Sequence, residues 1–286
     1  MKIRVAEHSG YCYGVKRAVT LLENLIEEKN RVYTLGPIIH NQQVTDYYHE
    51  KGVLIIDKIA DLSDNEIDGA LVVIRSHGAP KSVYEEAESK GVMLKDATCP
   101  YVKKIQNTVS TYASKGYNII IVGDSKHPEV IGINGWCDNQ AKIIKTIDDV
   151  ELIALDQRPT CVVAQTTFNI NLWKAISEQL ESKLDDCVLI NTICLATEQR
   201  QQAVIALASE VDLMIVVGGK HSSNTIKLAE LCALQTRTIH IETKDDLNGE
   251  ALKGTRSIGI TAGASTPDWI IQSVILKIEN EGEVFF

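Results

Sequence analysis

Closely spaced cysteine pairs are missing from this chain of 286 residues. It holds seven cysteines, and no two of them form a C-x-x-C pair. That absence argues against a zinc ribbon or a thioredoxin-type redox motif. The number is odd, which fits reduced thiols better than a disulfide framework. Basic residues are also in short supply, 29 Lys and Arg against 38 Asp and Glu, for a formal net charge of −9. A general nucleic-acid binder is normally basic, so that partner is not expected. Any anionic ligand must then be held by local donors and not by the global field. No apolar run approaches the ~20 residues that a membrane-spanning helix needs, so no membrane partner is expected. The opening "MKIRVAEHSG" lacks the apolar stretch and cleavage pattern of a signal peptide. The expectation is a cytoplasmic protein. Neither a Walker loop nor G-x-G-x-x-G occurs, so nucleotide, flavin and nicotinamide fingerprints are absent. Pro-, Gly- or Ser-rich spacers and low-complexity stretches are absent as well.

What the chain does have is an internal repeat. "KIRVAEHSGYCYGVKRAVTLLENLIEEKNRVYTLGPIIHNQQV", "VMLKDATCPYVKKIQNTVSTYASKGYNIIIVGDSKHPEV" and "CVLINTICLATEQRQQAVIALASEVDLMIVVGGKHSSNT" align. Each reads strand, cysteine, helix, strand, then Gly-x-x-x-His or Gly-x-His. The cysteines are Cys12, Cys99 and Cys194, and the histidines 28, 28 and 27 residues later are His40, His127 and His221. A helix and a strand follow each histidine. Then come the apolar strands "ALVVIRSHG", "TCVVAQTTF" and "SIGITAGAST", each leading into a further helix. Regular β/α alternation predicts parallel sheets with helices on both faces. The fold class is therefore α/β: three similar units with small parallel sheets, related by pseudo-threefold symmetry around a common centre. The units are expected over 13–96, 97–192 and 193–286. Strand 1–12 completes or packs with the third, unless "EGEVFF" caps it as a further strand.

Ligands of parallel α/β units sit beyond the carboxyl ends of the strands. Cys12, Cys99, Cys194, His40, His77, His127, Thr166 and Ser265 all fall at such ends. Each of the three cysteines precedes a helix, whose dipole and free N–H groups favour a thiolate. Three thiolates with no fourth protein ligand point to an iron–sulfur cluster with one open iron, a coordination site suited to catalysis. Zinc held by three cysteines with a histidine or water is the chemical rival. Cys137, Cys161, Cys187 and Cys232 do not recur in the repeat and read as small buried hydrophobes.

Other strand ends carry polar groups. "KHSSNT" opens a helix, and its Ser222, Ser223 and Asn224 with free backbone N–H groups suit a phosphate. The same residues also serve as ordinary helix caps. Ser265 in "TAGAST" has similar potential, and His221 is a weaker candidate than its neighbours. Glu129 follows "HP" at a helix start, where a carboxylate simply favours the dipole or else delivers protons. Thr166 in "QTT" suits the orientation of a substrate oxygen, or is a plain strand threonine.

The motifs "GYCYGVKRA", "PIIHN", "SHG", "DATCP", "HPEV", "QTT", "NTIC…TEQRQ", "SSN" and "TAGAS" resemble, in order and over nearly the whole chain, those of the 4-hydroxy-3-methylbut-2-enyl diphosphate reductase family. Tyr13 stands where a small residue is common in that family. The resemblance implies one [4Fe–4S] cluster per chain on Cys12, Cys99 and Cys194. It implies a diphosphate-binding set of His40, His77, His127, Ser222, Ser223, Asn224 and Ser265. Thr166 is implied to face the substrate hydroxyl, and Glu129 to deliver protons. The implied reaction is a reductive dehydroxylation of an allylic diphosphate to isopentenyl and dimethylallyl diphosphate. Its electrons come from an external one-electron donor such as a ferredoxin or flavodoxin. A quinolinate-synthase-like cluster enzyme and a non-catalytic metal-binding protein are the alternatives.

Overall fold

The strands that organise the structure are apolar from end to end. "ALVVI" (Ala70–Ile74), "TCVVA" (Thr160–Ala164) and "LMIVV" (Leu213–Val217) are buried at every position. A continuous apolar run of β-branched residues belongs in a parallel sheet covered on both faces, and that is how each is used. The computed structural model describes residues 1–28, 31–154 and 156–284. β1 (Lys2–Val5) and α1 (Tyr13–Glu27) open the chain. They are followed by β2 (Arg31–Leu35), α2 (Gln42–Glu50), β3 (Leu54–Ile56), α3 (Asp64–Ile67), β4 (Ala70–Ile74), α4 (Lys81–Lys90) and β5 (Met93–Asp96). Next come α5 (Pro100–Ser114), β6 (Asn118–Val122), α6 (Pro128–Asn134), β7 (Lys142–Ile144), α7 (Ile147–Leu152), β8 (Thr160–Ala164), α8 (Ile170–Lys183) and β9 (Cys187–Ile190). The chain finishes with α9 (Leu195–Ala208), β10 (Leu213–Val217), α10 (Ser223–Ala233), β11 (Arg237–Ile241), β12 (Ser257–Ala262) and α11 (Asp268–Val284).

The strands form three four-stranded parallel sheets, in the orders β3-β2-β4-β5, β7-β6-β8-β9 and β11-β10-β12-β1. The three orders are one topology, so the sequence repeat is a structural repeat. In the third sheet β1 occupies the edge that β5 and β9 hold in the others, with Lys2 opposite Ser257 and Val5 opposite Ile260. "EGEVFF" does not begin another strand. α11 continues through Val284, and Phe285 and Phe286 lie outside the described residues.

The chain falls into two compact bodies. Body one comprises Met1–Lys16, Ile39–Asp46 and the chain from Leu195 onward, and it holds the third sheet. One face of that sheet packs Ile215, Ile260 and Ile270 against α11, and the other packs Met214, Val204 and Leu228 against α9 and α10. Body two comprises Arg17–Ile38 and Tyr47–Cys194 and holds the first two sheets. In the second sheet, Ile120, Val122 and Val162 meet Trp173, Ile176 and Leu180 of α8 on one face. On the opposite face Ile119, Ile121 and Val163 meet Val102, Ile105 and Val109 of α5. The α8 residues recur at helical spacing because only one side of that helix faces the sheet. Its start is fixed by Asn169, whose side chain accepts from the N–H groups of Asn171 and Leu172. Among the described residues no helix is long and apolar enough to cross a membrane.

Ile176 is fully buried in the α8 seam. Truncating it to alanine is expected to cost roughly 2–5 kcal/mol in urea denaturation. A loss below about 1 kcal/mol would contradict its place in the core.

Candidate functional site

The three repeat cysteines are positioned by the same main-chain bond. Cys12 N donates to Ala264 O (3.3 Å), Cys99 N to Ser76 O (2.9 Å) and Cys194 N to Thr166 O (3.1 Å). Each acceptor lies two residues beyond the last residue of β12, β4 and β8 respectively. The register therefore ties each cysteine to the carboxyl end of the sheet strand beside it. All three are half-buried and not disulfide-bonded. Cys99 is the N-cap of α5, with Pro100 at the first helical position, where the missing N–H costs nothing. Cys137, Cys161 and Cys232 are buried and Cys187 is half-buried. Burial pushes the Cys137 thiol up to about 11 and those of Cys161 and Cys232 up to about 12. Those thiols stay protonated at neutral pH and are poor metal ligands.

Body two carries a connected series of polar groups between Cys99 and Cys194. Ser76, which holds Cys99, precedes His77. The His77 and His127 rings meet edge to face, with centroids 5.3 Å apart and planes at 84°. His127 caps α6, its Nδ1 accepting from Glu129 N at 3.1 Å. An accepting Nδ1 carries no proton, so in the neutral ring Nε2 is the donor. Glu129 is buried, and its carboxylate accepts from Thr166 N (2.6 Å) and Thr166 Oγ (2.7 Å). Burial raises the Glu129 carboxyl to about 7 from an ordinary value of 4.5, and the two Thr166 bonds only partly oppose it. Thr166 then returns the series to Cys194 through its carbonyl. The structure thus brings His77, His127, Glu129 and Thr166 together with Cys99 and Cys194 in one body.

Body one gathers the remaining candidates around the ends of β10 and β12. Ser265, next to the carbonyl that holds Cys12, donates through Oγ to His40 O at 3.1 Å. The same carbonyl lies against Gly219, where an added Cβ would stand 2.8 Å from it. Only glycine permits that approach. Gly219 O accepts from Ser222 N at 3.0 Å. Ser222 is the N-cap of α10, its hydroxyl accepting from Thr225 N at 3.4 Å. Ser223 and Asn224 form the first turn of that helix, as both the cap and the phosphate readings require. The Asn224 Nδ2 is buried with no hydrogen-bond partner among the described residues. A buried amide donor left unsatisfied is costly, and an anionic oxygen would satisfy it.

His221 is exposed and takes no part. Counting from each cysteine explains why: the residue 28 positions on is His40, His127 and Ser222. Ser222 is therefore the counterpart of His127, and both cap the helix they precede. Two further polar residues escaped the sequence reading. Asn41 is buried and its Oδ1 caps α2 by accepting from Val44 N at 3.1 Å, while its Nδ2 has no partner among the described residues. Gln165 is buried, with Oε1 accepting from Asp124 N (3.1 Å) and Nε2 donating to Thr167 Oγ (3.1 Å). It braces the His127 loop against the Thr166 loop. The available signal was position: Asn41 follows His40 and Gln165 precedes Thr166.

Residues 3–279 match the family model described as LytB protein. The 4-hydroxy-3-methylbut-2-enyl diphosphate reductase of Clostridioides difficile strain 630 is 48% identical over 282 residues, covering 98% of this chain and all of that protein. That of Alkaliphilus oremlandii is 50% identical over 285 residues, with 98% and 100% covered. A solved structure titled (E)-4-hydroxy-3-methyl-but-2-enyl diphosphate reductase, the terminal enzyme of the non-mevalonate pathway, superposes with a TM-score of 0.70 at 40% identity, over 98% of this chain and 99% of that one. The E-1-hydroxy-2-methyl-but-2-enyl-4-diphosphate reductase of Plasmodium falciparum gives a TM-score of 0.92 at 29% identity, over 98% and 88%.

The raised Glu129 carboxyl makes a stability prediction. Between pH 4.5 and 7 the folded chain keeps a proton there that the unfolded chain has lost. Stability therefore falls as pH rises through that window and levels off above it. The loss assigned to Glu129 is on the order of 3 kcal/mol. Urea denaturation of Glu129→Gln at pH 5 and pH 8 should show this part of the slope missing. A slope equal to that of the parent chain contradicts the raised carboxyl.

Proposed function

The chain belongs to the LytB protein family, and from that membership and the residues at its strand ends we propose that it reductively removes the hydroxyl of 4-hydroxy-3-methylbut-2-enyl diphosphate, giving isopentenyl and dimethylallyl diphosphate. The observation that carries this reading is the buried Glu129 carboxyl, held near neutrality and bonded to the Thr166 hydroxyl. A hydroxyl leaves as water only if it is protonated. A carboxyl with a pKa close to the working pH is the efficient proton source for that step.

Cys12, Cys99 and Cys194 are the proposed ligands of one [4Fe–4S] cluster per chain. The donor set fits such a cluster. The three thiols are outside any disulfide and half-buried, each stands at a helix start, and the four remaining thiols lie elsewhere, three of them buried. Three soft thiolates without a fourth favour iron–sulfur chemistry. A bound cluster of this kind supplies electrons one at a time and an open metal site that polarises the substrate oxygen.

The chain's own residues do the rest. The diphosphate is assigned to His40, His77, His127, Ser222, Ser223, Asn224 and Ser265. His127 offers an Nε2–H because its Nδ1 is committed to the Glu129 main chain. Asn224 offers its unsatisfied Nδ2. When Glu129 is ionised, Thr166 donates its hydroxyl hydrogen to it. When Glu129 is protonated the bond reverses, and the Thr166 hydroxyl is free to pass a proton to the substrate oxygen. Two electrons and two protons are consumed per hydroxyl removed, and one water leaves. The electrons come from an external one-electron carrier such as a ferredoxin or flavodoxin. A cytoplasmic location follows from that chemistry, since reduced carriers and reduced thiols share that compartment.

Two substitutions test this reading in anaerobically purified protein. Glu129→Gln should keep the visible cluster absorbance while turnover falls about 100-fold. A normal rate removes Glu129 from the reaction. Cys99→Ser should lose the absorbance itself. An intact cluster in that variant contradicts the ligand assignment.

A further inference from the structure

Electrons must enter the protein somewhere, and most of its surface is wrong for an acidic carrier. The net charge is −9. Several surface cations of body two are already matched by carboxylates: Lys81 by Glu85, Lys90 by Glu86, Lys145 by Asp124 and Arg158 by Asp156. One groove differs. It has a volume of about 770 Å³, lies wholly in body two, and is lined by Arg17, Lys103 and Lys104, with Asp96 as its only carboxylate. Lys103 is paired with Asp96 at 3.1 Å. The Arg17 guanidinium donates to two main-chain carbonyls, Thr98 O (3.1 Å) and Asp96 O (3.3 Å), and to no carboxylate among the described residues. Lys104 is exposed and has no ion pair among the described residues. The groove thus holds two uncompensated positive charges.

The groove also includes Pro100, the residue bonded directly to Cys99. Thr98, whose carbonyl anchors Arg17, precedes that cysteine. The cations are therefore built around the loop that carries a proposed cluster ligand. Lys103 is held in place from below, its Nζ 4.9 Å from the Tyr84 ring centroid and 5.0 Å from that of Trp136. Tyr112 and Ile190 supply an apolar margin.

We propose that this groove is the docking surface for an acidic one-electron carrier protein, which delivers electrons next to Cys99. The inference rests on the reading of the chain as a cluster-dependent reductase. Each encounter oxidises one carrier by one electron. Two encounters supply the pair that, with two protons, converts the carbon–hydroxyl bond to carbon–hydrogen and water. A net-negative chain repels an acidic carrier everywhere except where its cations gather. Local complementarity of this kind sets encounter rate and orientation more than affinity, and it fades with salt. Such redox contacts are small, below about 1,200 Å², so a single groove of this kind is an adequate target.

The test uses an acidic ferredoxin, a reduced viologen and the anaerobically purified protein. Lys104→Glu combined with Asn107→Glu reverses the charge on the exposed side of the groove, and neither residue has a role in the proposed chemistry. Calorimetric titration with oxidised ferredoxin at low salt should show binding weakened about tenfold or more in the double variant. Ferredoxin-driven turnover should fall by a similar factor, while viologen-driven turnover stays within about twofold. Unchanged ferredoxin binding, or an equal fall with both reductants, overturns the docking surface. A parent chain with no viologen-driven turnover overturns the functional reading, and the docking surface with it.

Discussion

Three main-chain hydrogen bonds set the geometry on which everything else depends. Each repeat cysteine donates its N–H to a carbonyl two residues past the end of a sheet strand. A parallel β/α unit delivers its loops to the carboxyl ends of its strands. The bond fixes which residue of the loop sits there, and thereby which side chain the following helix presents at its N-terminus. The three sheets share one strand order, so the same register recurs with Ser76, Thr166 and Ala264 as the acceptors. The residues next to those acceptors, among them His77 and Ser265, inherit their positions from the same bond.

Around that frame the two bodies are equipped for different work. Body two holds a titratable series, with paired imidazole rings, a capped helix, and a carboxyl kept near neutrality by burial. Body one holds neutral donors, the serines and the Asn224 amide at a helix start, suited to an anion that must be bound without being protonated. The glycine at position 219 marks how tightly the His40 backbone is pressed against that corner. In each body one candidate ligand is also a helix cap, His127 in body two and Ser222 in body one.

Much of this was legible in the chain. The spacing from cysteine to histidine exposed the repeat, and the apolar strand runs exposed parallel sheets. Together they named nearly every polar residue at the strand ends. His221 was misaligned by one position, because histidine identity was matched where cap position should have been. The hidden part is tertiary. Residues 39–46 pack with the third sheet although they lie between two elements of the first, and no local pattern signals such an exchange. The brace made by Gln165 and the edge taken by β1 also depend on partners far away in the chain. The end of the chain, "EGEVFF", falls where the repeat would begin a further strand. The helical run from Asp268 continues through Val284 instead, with Ile270, Val274 and Ile278 buried against the third sheet.

The central claim is that Cys12, Cys99 and Cys194 serve one iron–sulfur cluster. Iron and acid-labile sulfide counting on anaerobically purified protein tests it most directly. The account predicts a brown protein with about four irons and four sulfides per chain. A colourless protein carrying a single zinc would contradict it.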